Sequence, residues 1–192
     1  MSNLCTSTRR AFIGLLPATI VSSAAFGQDG ESNQTRSATI ILLRHAEAEE
    51  SEDRDPALSA AGRERAAGVA ALLRGAKVTH LFSTDYRRTR ETLQPLAEST
   101  GLEIASYDPR KPDAFVEQLG ALAGGEVVVV AGHSNTVPQM VQALGGSLAG
   151  LDERGYLGHH EHDRVIVQTL LAQHEAPLRA VQTLDLRVGA GE

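Results

Sequence analysis

Apolar runs without alternation set the first limit on this chain. Ala38 to Leu43 carries Ile40, Ile41, Leu42 and Leu43 in succession, and Glu126 to Val130 ends in four valines. A strand with one wet face alternates apolar and polar residues. Runs that do not alternate suit strands buried on both sides, as in a parallel sheet covered by helices. Segments of helical period lie between them. Ser59 can cap a helix that presents Ala66, Val69, Ala70 and Leu73 on one face, with Gly75 as its stop. Further helices are expected over Asp85–Glu98, kinked at Pro95, over Pro112–Leu122 and over Val137–Leu144. Strands are expected at Val78–Phe82, Leu102–Ser106 and Val165–Leu170. The last strand, Ala180–Val188, alternates, as expected of an antiparallel edge with one solvated side. Strands alternating with helices predict an α/β fold: a three-layer, doubly wound, mostly parallel sheet with helices on both faces. In such sheets the ligand lies outside the carboxyl ends of the strands, where strand order reverses.

The first 27 residues read as an export signal rather than as part of the fold. Arg9 and Arg10 precede an apolar stretch that runs to about Phe26, and Ala25-Phe26-Gly27 offers small residues for cleavage. This is a twin-arginine pattern and implies a periplasmic or otherwise exported protein. Residues 28–37 are polar and are expected to form a flexible leader, with the domain spanning 38–192. Removing 1–27 takes away Arg9, Arg10 and no acid. The 18 basic residues become 16 against 24 acidic ones, a formal charge of −8. That balance argues against nucleic acid as a partner. No stable membrane insertion is expected after cleavage. The only cysteine, Cys5, leaves with the signal, which excludes thiolate-nucleophile phosphatases.

Three strings carry the chemistry. "LLRHAE" (Leu42–Glu47) and "VAGHSNT" (Val130–Thr136) each end a strand-like run with a histidine. "STDYRRTRET" (Ser83–Thr92) opens a helix with arginines. Imidazole is a nucleophile at neutral pH when it is uncharged, and a neighbouring cation such as Arg44 favours that form of His45. Guanidinium groups match the oxygens of a phosphoryl group in transfer. Gly132 permits close backbone approach before His133, and Asn135 or Thr136 can cap the helix that follows.

Together with "DPALSAAGRERA" (Asp55–Ala66), these strings resemble the histidine phosphatase superfamily, the phosphoglycerate mutase-like fold. The resemblance covers roughly residues 38 to 190. It implies that His45 is a nucleophile passing through a phosphohistidine. Arg44, Arg88 and His133 would bind phosphate and stabilise the transition state. Two registers fit the third string, Ser83 with Arg87 or Thr84 with Arg88. The second also matches Asp85 and Thr92, and is favoured. No cofactor or metal is implied, and the partner is a small phosphorylated substrate.

The proton donor for the leaving group is less evident. Many relatives supply a Glu from an insertion that this chain lacks, and others an acid after the second His, where this chain has Ser134. Glu47 is the first candidate, because crowding by the acids of Glu47–Asp55 would raise its pKa; Asp55 is the second. "HHEHD" (His159–Asp163) has metal-ligand composition but irregular spacing, and is read as a decoy. The expected activity is metal-independent phosphomonoester hydrolysis. Alternatives are a non-catalytic phosphate- or phosphosugar-binding module, or a phosphohistidine phosphatase or mutase of the same fold.

Overall fold

A computed structural model describes residues 35–173 and 176–188. The signal-like segment and residues 28–34 of the leader lie outside the described residues. The strands are β1 (Thr35–Arg44), β2 (His80–Ser83), β3 (Ile104–Ser106), β4 (Val127–Gly132), β5 (Arg164–Gln173) and β6 (Arg179–Arg187). The helices are α1 (Ala60–Leu73), α2 (Arg87–Thr100), α3 (Pro112–Gly120) and α4 (Thr136–Ala143). The sheet order is β3-β2-β4-β1-β5-β6. β3, β2, β4 and β1 run parallel, and β5 and β6 are antiparallel additions at one side.

The missing alternation in β1 and β4 has a direct cause. Ala38, Ile40, Leu42, Val128 and Val130 pack into one core with Phe115, Leu119, Met140 and Val141 from α3 and α4. Ile41, Leu43, Val129 and Ala131 pack into a second core with Val69, Leu73, Leu93 and Leu96 from α1 and α2. Successive side chains point to opposite faces of a strand, and here both faces are covered. Among the described residues no helix is long and apolar enough to cross a membrane.

Several local expectations change. Residues 35–37 are not leader: Thr35, Arg36 and Ser37 pair with Gln173, Ala172 and Leu171 because β5 is long enough to extend the ladder. Ser59 does cap α1, its Oγ accepting the Gly62 N–H at 3.1 Å. The helix nevertheless ends before Gly75, and the left-handed residue is Lys77, with φ 51°. Asn135 makes no capping hydrogen bond. β6 is the antiparallel edge, but the side carrying Leu184 and Leu186 is not buried: they are 44% and 45% exposed.

Candidate functional site

β1 and β4 are neighbours in register, with Arg44 opposite Gly132, so both histidines leave the sheet side by side. Their rings lie 5.5 Å apart, edge to face. Gly132 permits this crowding, since a Cβ there would come within 2.7 Å of Thr136 Oγ1 and 2.9 Å of the Tyr107 hydroxyl. That hydroxyl of Thr136 accepts the His133 backbone N–H at 2.9 Å and fixes the turn into α4.

The tautomer of His45 follows from its partner. Nδ1 lies 2.8 Å from the Ala46 carbonyl, which has no proton to give, so Nδ1 carries the hydrogen and donates it. Nε2 is left with its lone pair. Burial, then the charges of Arg44, Arg88 and His133, push the imidazole down to about 3 against the pull of the Ala46 carbonyl. His45 is therefore neutral at physiological pH.

A hydroxyl chain fixes His133 in turn. Thr89 Oγ1 donates to the Tyr86 carbonyl at 2.7 Å, so Thr84 donates to Thr89 at 2.6 Å. Thr84 Oγ1 must then accept from His133 Nε2, 3.1 Å away. Burial and the fields of Arg88 and Arg44 bring His133 down to about 4. The resting His133 thus gives its one ring proton to Thr84 and turns Nδ1 outward as an acceptor, whereas the sequence reading expects it to donate to phosphate.

The register of the third string is visible in α2. Arg88 and Thr92 are four apart on α2 and share one face, while Thr84 lies just ahead of the helix. Thr92 Oγ1 donates to the Arg88 carbonyl at 2.7 Å and accepts the Ala46 N–H at 2.9 Å, tying α2 to the residue after His45. The Arg88 guanidinium lies 4.6 Å from the Tyr86 ring centre, and Tyr86 meets His133 edge-on at 5.1 Å. Arg87 instead points outward, its Nε 2.7 Å from Glu91 one turn along. Arg44 is buried, and its Nη1 donates to the carbonyls of Gly158 and His159, both at 2.9 Å.

The acid assigned first in the sequence reading is in the wrong environment. Glu47 is gripped by Arg65 of α1, which reaches its two oxygens at 2.6–3.0 Å. This hydrogen-bonded ion pair, more than the opposing effect of burial, holds the Glu47 carboxyl below the usual carboxylate range. The expected upward shift by neighbouring acids is therefore reversed. Asp55 meets the start of α2 instead. Its Oδ1 accepts the Arg87 backbone N–H at 2.8 Å, capping α2, and sits 3.8 Å from Arg88 Nη1. A cleft of about 250 Å³ opens beside these groups, lined by Tyr86, Arg88, Pro109, Arg110, His133 and Asn135. A larger groove on the α3 side contains no histidine.

Sequence reasoning missed one member of the cluster. His162, the last imidazole of "HHEHD", donates from Nδ1 to the His45 carbonyl at 2.7 Å, and its ring centre is 5.4 Å from that of His45. The rest of the string is used otherwise. His159 and His160 are exposed and meet edge-on, while Glu161 and Asp163 pair with Arg187 at 2.6 and 2.9 Å. Among the described residues no group of three or more His, Cys, Asp or Glu converges as a metal site.

The model of the histidine phosphatase superfamily (branch 1) matches residues 40–111, which contain His45, Arg88 and the Asp55–Ala66 string. Solved structures share the fold. One, provisionally assigned as phosphohistidine phosphatase SixA from Agrobacterium tumefaciens, is 23% identical, with a TM-score of 0.54 over 76% of this chain and 96% of that one. A protein histidine phosphatase SixA complexed with tungstate also gives 0.54, at 14% identity, over 76% and 96%. The mycobacterial glucosyl-3-phosphoglycerate phosphatase gives 0.53 at 17% identity, over 74% and 99%. No curated protein sequence matches. The match over residues 40–111, together with the shared fold, supports the histidine phosphatase superfamily for this chain. The match to the family model supports phosphatase activity in general terms.

Proposed function

We propose that this protein is a metal-independent phosphomonoester hydrolase that works through a phosphohistidine on His45. The observation that carries the reading is the state of that ring: neutral, with Nδ1–H held by the Ala46 carbonyl and Nε2 free. A structural histidine would have both nitrogens satisfied; a nucleophile needs one lone pair in reserve.

Nε2 attacks phosphorus, and the bond to the leaving oxygen breaks. Arg44 and Arg88 supply positive charge where the equatorial oxygens gather it. A phosphate dianion next to His133 favours the imidazolium form. His133 then has a second N–H, on Nδ1, for a phosphoryl oxygen while Nε2 keeps its bond to Thr84. We assign the proton for the leaving oxygen to Asp55 in its protonated carboxyl form, in place of Glu47; giving it up leaves a carboxylate next to Arg88. The leaving group occupies the cleft bounded by Tyr86, Pro109 and Asn135. Water then attacks phosphorus, the bond to His45 Nε2 breaks and phosphate leaves, while the Asp55 carboxylate takes the water's proton.

The twin arginines Arg9 and Arg10 support export of this hydrolase to the periplasm. A second reading, dephosphorylation of phosphohistidine on a protein, draws on the chain's compactness. It matches 96% of the length of both SixA structures, and its cleft is small.

The deciding experiment is turnover of p-nitrophenyl phosphate in EDTA, with acid-quench trapping of phosphate on His45 and His45→Ala as the control. Turnover that vanishes in the variant supports the enzyme; phosphate binding without turnover makes the protein a binding module. Comparing a phosphohistidine-bearing protein with phosphosugars and nucleotides then separates the two readings.

A further inference from the structure

We propose that His162 is a positioning residue for the nucleophile, acting as a hydrogen-bond donor through Nδ1. The inference rests on the reading of His45 as nucleophile. The peptide that carries His45 is pinned at every polar atom. The His45 N–H donates to the Gly132 carbonyl at 2.9 Å, and the Ala46 N–H donates to Thr92 Oγ1 at 2.9 Å. The Ala46 carbonyl takes the His45 Nδ1–H at 2.8 Å. The remaining carbonyl, that of His45 itself, takes the proton of His162 Nδ1 at 2.7 Å. Displacing this stretch of backbone would move the Ala46 carbonyl, one peptide further on, and with it the imidazole whose tautomer that carbonyl sets. The His162 hydrogen bond opposes that displacement.

The segment bearing His162 also holds the other half of the Arg-His pair. Its Gly158 and His159 carbonyls take Arg44 Nη1. This segment is braced independently of His162. Glu161 accepts the Gly158 N–H at 2.8 Å, Glu161 and Asp163 pair with Arg187 of β6, and the buried Arg164 pairs with Asp185. Loss of the His162 ring therefore removes one contact to the nucleophile and leaves the segment in place.

The ring packs beside that of His45, 5.4 Å from centre to centre. It borders a small enclosed space with Leu43, Ala46, Arg65, Val69 and Thr92, whereas the cleft beside Tyr86 and His133 does not include it. Its Nδ1 proton is already given to the His45 carbonyl, which argues for alignment of the nucleophile. The test exploits side-chain geometry. An Asn amide nitrogen stands where Nδ1 does, and a Gln amide nitrogen reaches closer to Nε2.

Four variants are compared by steady-state kinetics and thermal unfolding: His162→Ala, His162→Asn, His162→Gln and His45→Ala. Displacing a reacting group by about 1 Å costs roughly 100-fold, so kcat is expected to fall about 10- to 100-fold in the Ala and Gln variants with KM within about threefold, and Asn to recover most of the loss. Undiminished kcat in the Ala variant overturns the proposal. So does recovery by Gln rather than Asn, or equal loss in Asn and Ala, each of which would implicate Nε2 or the ring itself. If the Ala variant does not fold, the contrast between Asn and Gln decides. Turnover surviving in His45→Ala would refute the underlying reading instead, whatever the His162 variants show.

Discussion

The two depressed imidazoles make the fold acid-sensitive in a way that can be measured. His45 stands near 3 and His133 near 4 in the native protein, against an ordinary value of about 6.5 in the unfolded chain. Because the folded values are lower, the unfolded state binds more protons below pH 6.5. Stability is therefore fully present above about pH 6.5 and declines as pH falls toward 4 and then 3. Each pH unit of such proton uptake costs about 1.36 kcal/mol per group. Over the 1.5 units from pH 6.5 to 5, His45 contributes a loss of about 2 kcal/mol. This figure does not depend on the native value so long as it lies well below 5. His133 is less buried, and solvent screening reduces its share to about 1 kcal/mol. Domains of this size have about 5–15 kcal/mol in total, so a combined loss of about 3 kcal/mol is readily seen. The assay is urea unfolding at pH 7 and pH 5 for wild type and for a double variant, His45→Gln with His133→Gln. Carboxylates and His162 titrate in both proteins and cancel in the difference. The wild type should lose about 3 kcal/mol more than the variant. Equal losses in the two proteins would refute the view that burial among guanidinium groups keeps these rings neutral.

Arg88→Ala should cost at least about 100-fold in kcat/KM, the usual effect of deleting a group that meets transition-state charge, whereas Arg87→Ala should change little, since its side chain is exposed and pairs with Glu91. The opposite ranking in p-nitrophenyl phosphate kinetics would place the clamp on Arg87. Gly62→Ala should destabilise by about 1–3 kcal/mol in chemical denaturation, because the added carbon would stand 2.0 Å from the Glu47 backbone oxygen, which the Ser59 N–H already holds at 2.9 Å. Asp55→Asn should slow alkyl phosphates strongly and p-nitrophenyl phosphate little, because a phenolate leaves without protonation. Glu47→Gln, which weakens the grip of Arg65, should lower the melting temperature without that leaving-group dependence. The reverse pattern would restore Glu47 as the donor.

What could be read from the sequence is what local pattern encodes. The unalternating runs at Ala38–Leu43 and Glu126–Val130 identified strands covered on both faces, and the two cores show why. Spacing alone leaves two registers, since Ser83 and Arg87 are also four apart; the resemblance favours Arg88 because that register also matches Asp85 and Thr92. The last strand is the antiparallel edge that its alternation predicts, but alternation shows only that two faces differ. Leu184 and Leu186 sit on an edge strand, and they stay half-exposed.

The remaining failures involve partners far apart in the chain. Glu47 was judged by the acids next to it, yet its charge is set by Arg65, a full helical turn into α1. The "HHEHD" string is set aside as a decoy in the sequence, yet its carboxylates do bind cations. Here the cations are guanidinium groups. Glu161 and Asp163 take Arg187, and that pairing fixes a segment whose carbonyls take Arg44 and whose last imidazole reaches His45, 117 residues earlier. No pattern within a window of one helix or strand contains that contact. It exists because β5 turns back antiparallel beside β1, so the segment that leads into β5 must pass the carboxyl end of β1, where the nucleophile stands.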